Sequence, residues 1–237
     1  MSSQVSLWKT EGTTALDYLR NQRHLADDVI RQFQFGYCPR DIDHELAGRI
    51  IMPIFDAYGE KVVAFSSRDT EAPKRFQHWH EQFDKSNHLF GLNVAKPQIK
   101  RTRKAIVVEG QFDVTYLHTA GFKMTVGLCG SAFSIMHVAL LARYCSEIFI
   151  IMDPDTSGDS AVERAAVMHE QYNLGLHNLS FIPVSLPTEP QKLDPDDFVY
   201  QNGSNALISI MRTAKENAVN NLKNILSAYR KKRNKNG

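Results

Sequence analysis

The fold class of this chain is indicated most clearly by IVVEGQFDV, residues 106–114, and IFIIMDPDTSGDSA, residues 148–161. In each stretch an apolar run typical of a buried strand leads directly into acidic residues, and a helical pattern follows. Strands that alternate with helices in this way indicate a parallel α/β sheet. Because ligands bind beyond the carboxyl ends of the strands in such open sheets, we expect the acids to lie at a binding site.

Acidic residues that this sheet edge is expected to bring together occur in three spaced groups: Glu109 with Asp113, Asp153 with Asp155, and Asp194 with Asp196. Clustered carboxylates repel one another unless a cation or a shared proton holds them. Mg²⁺, or Mn²⁺ in its place, takes oxygen ligands and is commonly completed by substrate phosphates, so the pattern predicts a divalent-metal site. A structural alternative exists for single residues, because Asp113 and Asp159 also suit the first turn of a helix and Asp155 or Ser157 suits an N-cap.

Helical and hairpin patterns precede the predicted parallel sheet. Residues 13–35 carry apolar residues near helical spacing, and residues 49–66 have the pattern of two strands joined by a turn at Tyr58 and Gly59. The run KPQIKRTRK, residues 96–104, is predicted to be a basic linker. The N-terminal part is therefore expected to be an α+β unit.

From residue 104 onward the pattern alternates β, α, β, α, β, α, β. It predicts an α/β fold whose parallel sheet has right-handed crossovers and helices on both faces. Residues 204–229 favour a C-terminal helix or helix pair, and the basic tail at 230–237 has no apolar pattern to fold it. The predicted parts are residues 1–103, 104–203 and 204–237.

Composition limits the classes of protein that fit. With 237 residues, of which 43% are hydrophobic, the chain is long enough to bury a core, and its net charge is only +2. A nucleic-acid-binding surface would therefore need basic residues segregated from the acids. The three cysteines form no C-x-x-C pair, so neither a zinc knuckle nor a disulfide scaffold is predicted, and reduced thiols in the cytoplasm are expected. No apolar run approaches the length of a membrane span, so no membrane association is expected.

Residues 104–203 resemble the TOPRIM domain, in which a Glu follows the first strand and an Asp-x-Asp follows the third. Gly158 and Ala161 fit the continuation of that second motif. The preceding segments resemble the RNA-polymerase domain of bacterial DnaG-type primases: ALDYLRNQRHLADDVIRQFQFGYCP, GRIIMPIFDAYGEKVVAFSSRD, PKRF and FDKSNHLFGLNVAK. The combination of GRIIMPIFD, FGL and VVEGQFDV is specific to the primase group, whereas TOPRIM motifs also occur in topoisomerases, nucleases and recombination proteins.

This resemblance implies a DNA-directed RNA polymerase that synthesises short RNA primers on single-stranded DNA from ribonucleoside triphosphates. The reaction would be an in-line attack of a 3′-hydroxyl on an α-phosphate, assisted by Mg²⁺ or Mn²⁺. Glu109, Asp153 and Asp155 are the expected direct metal ligands. Asp113, Asp194 and Asp196 would complete or shape the site, and Asp159 ranks below them because a first-turn acid has a structural use.

The same resemblance assigns basic residues to nucleic acid and nucleotide. Arg49 and Arg68 are expected at the template or the incoming triphosphate, and Lys74 and Lys85 at phosphates. Arginine offers a fork matched to phosphate oxygens and lysine a mobile point charge. Between Phe76 and Phe83 the sequence departs from the family pattern, which leaves Lys74 and its neighbour Arg75 as alternatives for one cation.

Relatives of this type usually carry a zinc-binding module that reads the start site and a module that docks on the replicative helicase. We therefore expect a compact, phage-like or plasmid-like version or a fragment, with the replicative helicase and a separate zinc-binding protein acting in trans as partners. Two alternatives remain. One is a TOPRIM nuclease that hydrolyses phosphodiesters, and the other is a non-catalytic replisome component that grips single strands or a helicase.

Overall fold

The structure, a computed structural model, describes residues 2–42, 45–70, 83–130, 133–152 and 179–217, and the backbone of 76–79. The chain opens with α1, Ser2–Leu7, which was not predicted. The helical pattern predicted for residues 13–35 is confirmed by α2 Thr13–Asp17, a π-helical turn Tyr18–Gln22 and α3 Asp27–Gln32. Their apolar residues, among them Leu19 and Ile30, are buried in a core shared with the rest of the chain.

An antiparallel sheet follows the helices, with its strands in the order β1 Gly36–Tyr37, β2 Arg49–Phe55, β3 Val62–Asp69 and β4 Phe76–Trp79. The predicted hairpin is confirmed, because β2 pairs with β3 around a turn at 56–61. Asp56 Oδ1 accepts the backbone N–H groups of Tyr58, Gly59 and Glu60 at 3.1, 2.7 and 2.9 Å. Gly59 has φ +79°, a conformation that glycine adopts without steric cost.

The second sheet is parallel, with strand order β6-β5-β7-β8, where β5 is Lys104–Val108, β6 Thr125–Gly127, β7 Glu147–Ile150 and β8 Ser180–Pro183. Its helices are α4 Leu92–Thr102, α5 Gln111–Thr119, α6 Ile135–Ala142, α7 Pro195–Asn202 and a helix over 204–217. The helix predicted between β7 and β8 lies outside the described residues.

Alternating residues of β5 cover both faces of this sheet. Ile106 and Val108 join the core that contains α5 and the N-terminal helices, whereas Ala105 and Val107 join the core that contains α4 and α6. Successive side chains of a strand point to opposite faces, so a run of buried apolar residues requires cover on both sides. The predicted α/β fold with helices on both faces is confirmed.

The prediction of a basic linker at residues 96–104 is wrong. Residues 96–102 belong to α4, and β5 begins at Lys104. Leu92, Ala95 and Ile99 have the spacing of one helical face and are buried against the sheet. Pro97 lies on the exposed side, where it forgoes one backbone bond, and burial of the apolar face outweighs that loss.

Contacts join the antiparallel part to the parallel sheet. Phe90 and Gly127 exchange backbone hydrogen bonds of 2.9 and 3.0 Å, which attaches the segment before α4 to the carboxyl end of β6. Lys96 Nζ donates to the carbonyl of Ala57 at 3.0 Å, which attaches α4 to the hairpin turn. Of the helices that the structure describes, none combines the length and apolarity needed to cross a membrane.

Candidate active site

Glu109 lies directly beyond the carboxyl end of β5, where the sequence predicts it. The chain turns there through Gly110 into α5, and the side chain is half-buried. The neighbouring strand β7 runs parallel to β5 and leaves the sheet at the same edge, with the N–H of Ile151 donating to the carbonyl of Val107 at 2.9 Å. The segment after β7 therefore departs beside Glu109.

Part of the predicted acid set cannot be placed. Asp153, Asp155 and Asp159, the acids that follow β7 in the sequence, lie outside the described residues, as does Lys74. Among the residues that are described, no three His, Cys, Asp or Glu side chains are grouped so that they could hold a metal ion. The geometry of the predicted ligand set therefore stays a prediction.

Asp113 connects the first turns of two helices. It is only 6% exposed. Its Oδ2 accepts the N–H of Gly110 at 3.1 Å, and its Oδ1 accepts the N–H of Asp196 at 3.1 Å. A Cβ on residue 110 would collide with Asp113 Oδ2, so this close approach requires glycine. Because both oxygens accept backbone donors, the arrangement suits the shaping role that the sequence allowed for Asp113.

Asp194 and Asp196 stand at the start of α7. Asp194 occupies the N-cap position with extended backbone, and Pro195 opens the helix. The half-buried Asp196 carboxylate accepts the N–H of Asp197 at 2.8 Å. Through the bond from the Asp196 N–H to Asp113, this acidic turn is attached to the turn that carries Glu109. The structure thus brings two of the three predicted acid groups to one edge of the sheet.

Arg23 is a residue of this region that the sequence analysis missed. Its Nη1 lies 3.7 Å from Asp196 Oδ2, and its Nε donates to the Tyr18 hydroxyl at 2.9 Å. The guanidinium carbon stands 4.4 Å from the centre of the Phe112 ring. The arginine therefore joins the N-terminal helices to α5 and α7. The only sequence signal is a cation near an aromatic residue, which is common on helix surfaces.

Two acidic groups near Asp196 have raised pKa values, and burial is the main cause of both shifts. Partial burial, and after it the Asp196 carboxylate, raises the pKa of Asp197, while Arg23 and His24 act in the opposite direction. Burial also raises the pKa of Tyr116, with Tyr200 and Asp196 as further contributors. The Asp196 carboxylate adds a smaller contribution to each shift.

The two predicted arginines flank the same end of the antiparallel sheet. Arg49 is 8% exposed and Arg68 9%. Arg49 Nε donates to Ser67 Oγ at 2.8 Å, and its Nη2 donates to the Ser67 carbonyl at 3.2 Å. The register sets Arg49 opposite Asp69 and Arg68 opposite Ile50, so the two side chains leave opposite faces of the sheet. Burial lowers the pKa of Arg49, and Asp69 counteracts that effect.

Lys85 begins a 3₁₀ turn, Lys85–Asn87, that lies near the carboxyl end of β6. The preceding Asp84 caps this turn: its Oδ1 accepts the N–H of Ser86 at 3.0 Å, and its Oδ2 accepts the side-chain amide of Asn87 at 2.6 Å. Glu109 stands at the end of the adjacent strand β5. Lys85 and Glu109 thus belong to the same edge of the parallel sheet.

Comparison with known proteins gives a consistent result. Residues 103–178 match the Toprim domain. The chain is 35% identical to a DNA primase of Synechococcus elongatus over 68% of its own length and 29% of that relative. It is 32% identical to a DNA primase of Synechocystis sp. over 84% of its own length and 37% of that relative. The chain thus spans about a third of the length of these curated relatives.

Solved structures share the fold. The E. coli primase catalytic core matches with a TM-score of 0.76 at 24% identity, over 90% of this chain and 76% of that one. A DnaG primase catalytic domain bound to single-stranded DNA matches with a TM-score of 0.78 at 24% identity, over 90% of this chain and 77% of that one. The likeness covers both the antiparallel part and the parallel sheet.

Proposed function

The chain belongs to the family of bacterial DnaG-type primases, and we propose that it is a primase catalytic core that synthesises short RNA primers on single-stranded DNA. The observation that carries this proposal is the attachment of a primase-like antiparallel part, with Lys85, to the sheet edge that carries Glu109. A nuclease of the same TOPRIM class has no use for residues 15–96. The single-stranded DNA in one matching structure supports the choice of template.

The family implies a divalent metal, and Glu109, the one assigned ligand that the structure describes, offers the oxygen donors that such an ion takes. Glu109 lies just beyond the carboxyl end of β5, and its turn is attached through Asp113 to the turn that carries Asp196. We assign Glu109, Asp153 and Asp155 as the residues that would hold Mg²⁺ or Mn²⁺. When bound, such an ion polarises phosphate oxygens and lowers the pKa of an attacking hydroxyl.

The remaining residues would orient the reactants. Asp113 holds the turns that carry Glu109 and Asp196, so it fixes the positions of these two acids relative to each other. Arg49 and Arg68 would contact the template or the incoming triphosphate, and Lys74 and Lys85 would contact phosphates. Asp194 and Asp196 would complete the negative edge. Correct orientation of a 3′-hydroxyl and an α-phosphate removes much of the entropic barrier to their reaction.

The partners follow from this proposal. The substrates would be ribonucleoside triphosphates and a single-stranded DNA template, in the cytoplasm of a bacterial or phage-infected cell. The replicative helicase would be a docking partner. A separate zinc-binding protein would recognise the template bases, because contacts to the phosphate backbone alone do not distinguish one base from another.

One incubation tests the proposal. The chain is mixed with single-stranded DNA, the four ribonucleotides and Mg²⁺, and the products are separated on a denaturing gel. New short RNA supports the primase. Cleaved DNA would contradict the primase proposal and support a TOPRIM nuclease. Binding of DNA without either product would contradict it and support a non-catalytic replisome component.

A further inference from the structure

His137 is a completely buried histidine in the first turn of α6 that the proposed chemistry does not use. Its Nδ1 lies 3.2 Å from the backbone nitrogen of Ser134. Its Nε2 lies 3.1 Å from the carbonyl oxygen of Lys85 and 3.0 Å from that of His88. The ring therefore connects α6 to the turn that carries Lys85, across about fifty residues of sequence.

These contacts define one protonation state. The Ser134 backbone can only donate, so Nδ1 must accept and carries no hydrogen. The two carbonyls can only accept, so Nε2 carries the hydrogen and shares it between Lys85 and His88. Burial lowers the pKa of His137, with the two carbonyls and Asp84 acting against it and His88 adding to it. The neutral ring with hydrogen on Nε2 satisfies every contact.

Ser134 holds the same turn through its side-chain hydroxyl. Its Oγ donates to the carbonyl of Ser86 at 2.6 Å and accepts the N–H of His137 at 3.1 Å. The first turn of α6 thus binds the carbonyls of Lys85, Ser86 and His88. With Asp84 capping the turn from within, the backbone at Lys85 is fixed on both sides.

We propose that His137 is a positioning residue for Lys85, holding its backbone at the carboxyl edge of the parallel sheet so that its ammonium group meets a phosphate of the nucleotide or the template. The inference rests on the proposed function, since the phosphate contact of Lys85 is part of it. A flexible lysine stem gains affinity when its attachment point is fixed in advance. His137 supplies that fixed point without touching the substrate.

A matched pair of substitutions separates the two nitrogens of the ring. In His137→Asn the amide oxygen keeps an acceptor near Nδ1, but no donor reaches Lys85 or His88. In His137→Gln the longer amide reaches these carbonyls with a donor. We expect His137→Asn to weaken binding about tenfold, the order of loss for one shared buried hydrogen bond, and His137→Gln to retain most of the affinity.

Binding is measured separately for a ribonucleoside triphosphate and for single-stranded DNA, by fluorescence anisotropy at several salt concentrations. The ligand whose affinity falls in His137→Asn identifies the phosphate that Lys85 meets. If that ligand is single-stranded DNA, Lys85→Ala should also reduce the slope of log affinity against log salt concentration by about one unit. Unchanged affinity of His137→Asn for both ligands would overturn the inference.

A double-mutant cycle with Lys85→Ala distinguishes positioning from general softening. If His137 acts through Lys85, His137→Asn should change binding less than about twofold in the Lys85→Ala background. A full additional loss there would overturn the inference alone. If Lys85→Ala alone does not change binding, Lys85 does not contact a phosphate, and the inference about His137 is wrong as well. The proposed function would still be tested separately, by primer synthesis with the unmodified chain.

His118 provides the stability control. It is 2% exposed, and its Nε2 lies 3.0 Å from the carbonyl oxygen of Thr125, at the amino end of β6 and away from Lys85. His118→Asn should lower Tm by an amount comparable to His137→Asn and leave both affinities unchanged. An equal loss of affinity in the two variants would mean that loosening of the fold causes the effect, and it would overturn the inference.

Discussion

The Asp113 carboxylate accepts the backbone N–H of Asp196 at 3.1 Å, across 83 positions of sequence. Its second oxygen accepts the N–H of Gly110, next to Glu109. One buried side chain thereby fixes the relative position of two acid-bearing turns. The negative edge of the sheet is thus assembled by hydrogen bonds as well as by strand order.

Asp113→Asn should destabilise the fold. An amide retains one acceptor oxygen and directs an NH₂ group at a backbone donor, so one of two buried bonds is lost, which costs about 1–3 kcal/mol in the free energy of unfolding. Urea unfolding measures this change. The control is Asp17→Asn, an exposed acid at the end of α2, which should stay within about 0.5 kcal/mol of the unmodified chain. Equal stabilities of the two variants would contradict the role given to Asp113.

Arg23→Ala should cost more stability than Arg20→Ala, although the Arg20 ion pair is shorter. Arg20 and Asp27 approach to 2.7 Å but are 40% and 48% exposed, and exposed pairs contribute only about 0–1 kcal/mol. Arg23 loses contact with Tyr18 and Phe112 as well as Asp196. Urea unfolding of both variants makes the comparison. A larger loss in Arg20→Ala would contradict this ranking of the two arginines.

The stability of the chain should fall as the solution is acidified below about pH 6.5, partly through His118. Burial lowers the pKa of this ring from 6.5 to about 4 in the folded chain. The unfolded chain therefore binds this proton first as the pH falls. The neutral His118 ring makes its full contribution to the free energy of unfolding above pH 6.5. That contribution falls towards pH 4 by up to ~1.4 kcal/mol per pH unit. Urea unfolding of the unmodified chain and His118→Gln between pH 7 and 5 measures it, and identical slopes would refute the assignment.

Extension of an annealed short RNA should be more efficient than de novo initiation when the chain acts alone. Initiation needs two nucleotides and an unpaired strand held together, and backbone contacts supply no base readout. Gel assays of the two reactions at equal template concentration make the comparison. Equal efficiencies with a defined start sequence would mean that the chain reads its own start site, and the proposed zinc-binding partner would be unnecessary.

The sequence predicts features that depend on local pattern. The apolar run before Glu109, the glycine after it and the repeated strand–helix alternation specify a parallel sheet and the edge at which its acids lie. The hairpin turn at Tyr58 and Gly59 is equally local, because Asp56 bonds donors two to four residues ahead.

Other features depend on contacts between distant segments. Arg23 meets Asp196, and His137 meets Lys85, only after the sheet has formed, and neither pairing leaves a pattern in the sequence. The error at α4 has a different cause. In the sequence, Pro97 and the many basic residues make the helical pattern of α4 hard to see, because only three of its apolar residues are buried. The helix is stabilised by packing of that face against the sheet.

Primer synthesis by Glu109→Gln shows whether the chain uses this carboxylate for metal-assisted RNA synthesis. The substitution keeps the size of the side chain and removes the charge that is assigned to the metal. The control is Glu147→Gln, at the amino end of β7 and paired with Lys215 at 2.7 Å, on the opposite edge of the sheet. We expect short RNA from the unmodified chain and from Glu147→Gln on single-stranded DNA with Mg²⁺. In Glu109→Gln we expect synthesis to fall about a hundredfold or more, with folding and template binding retained. Full synthesis by Glu109→Gln at saturating Mg²⁺ would contradict this expectation.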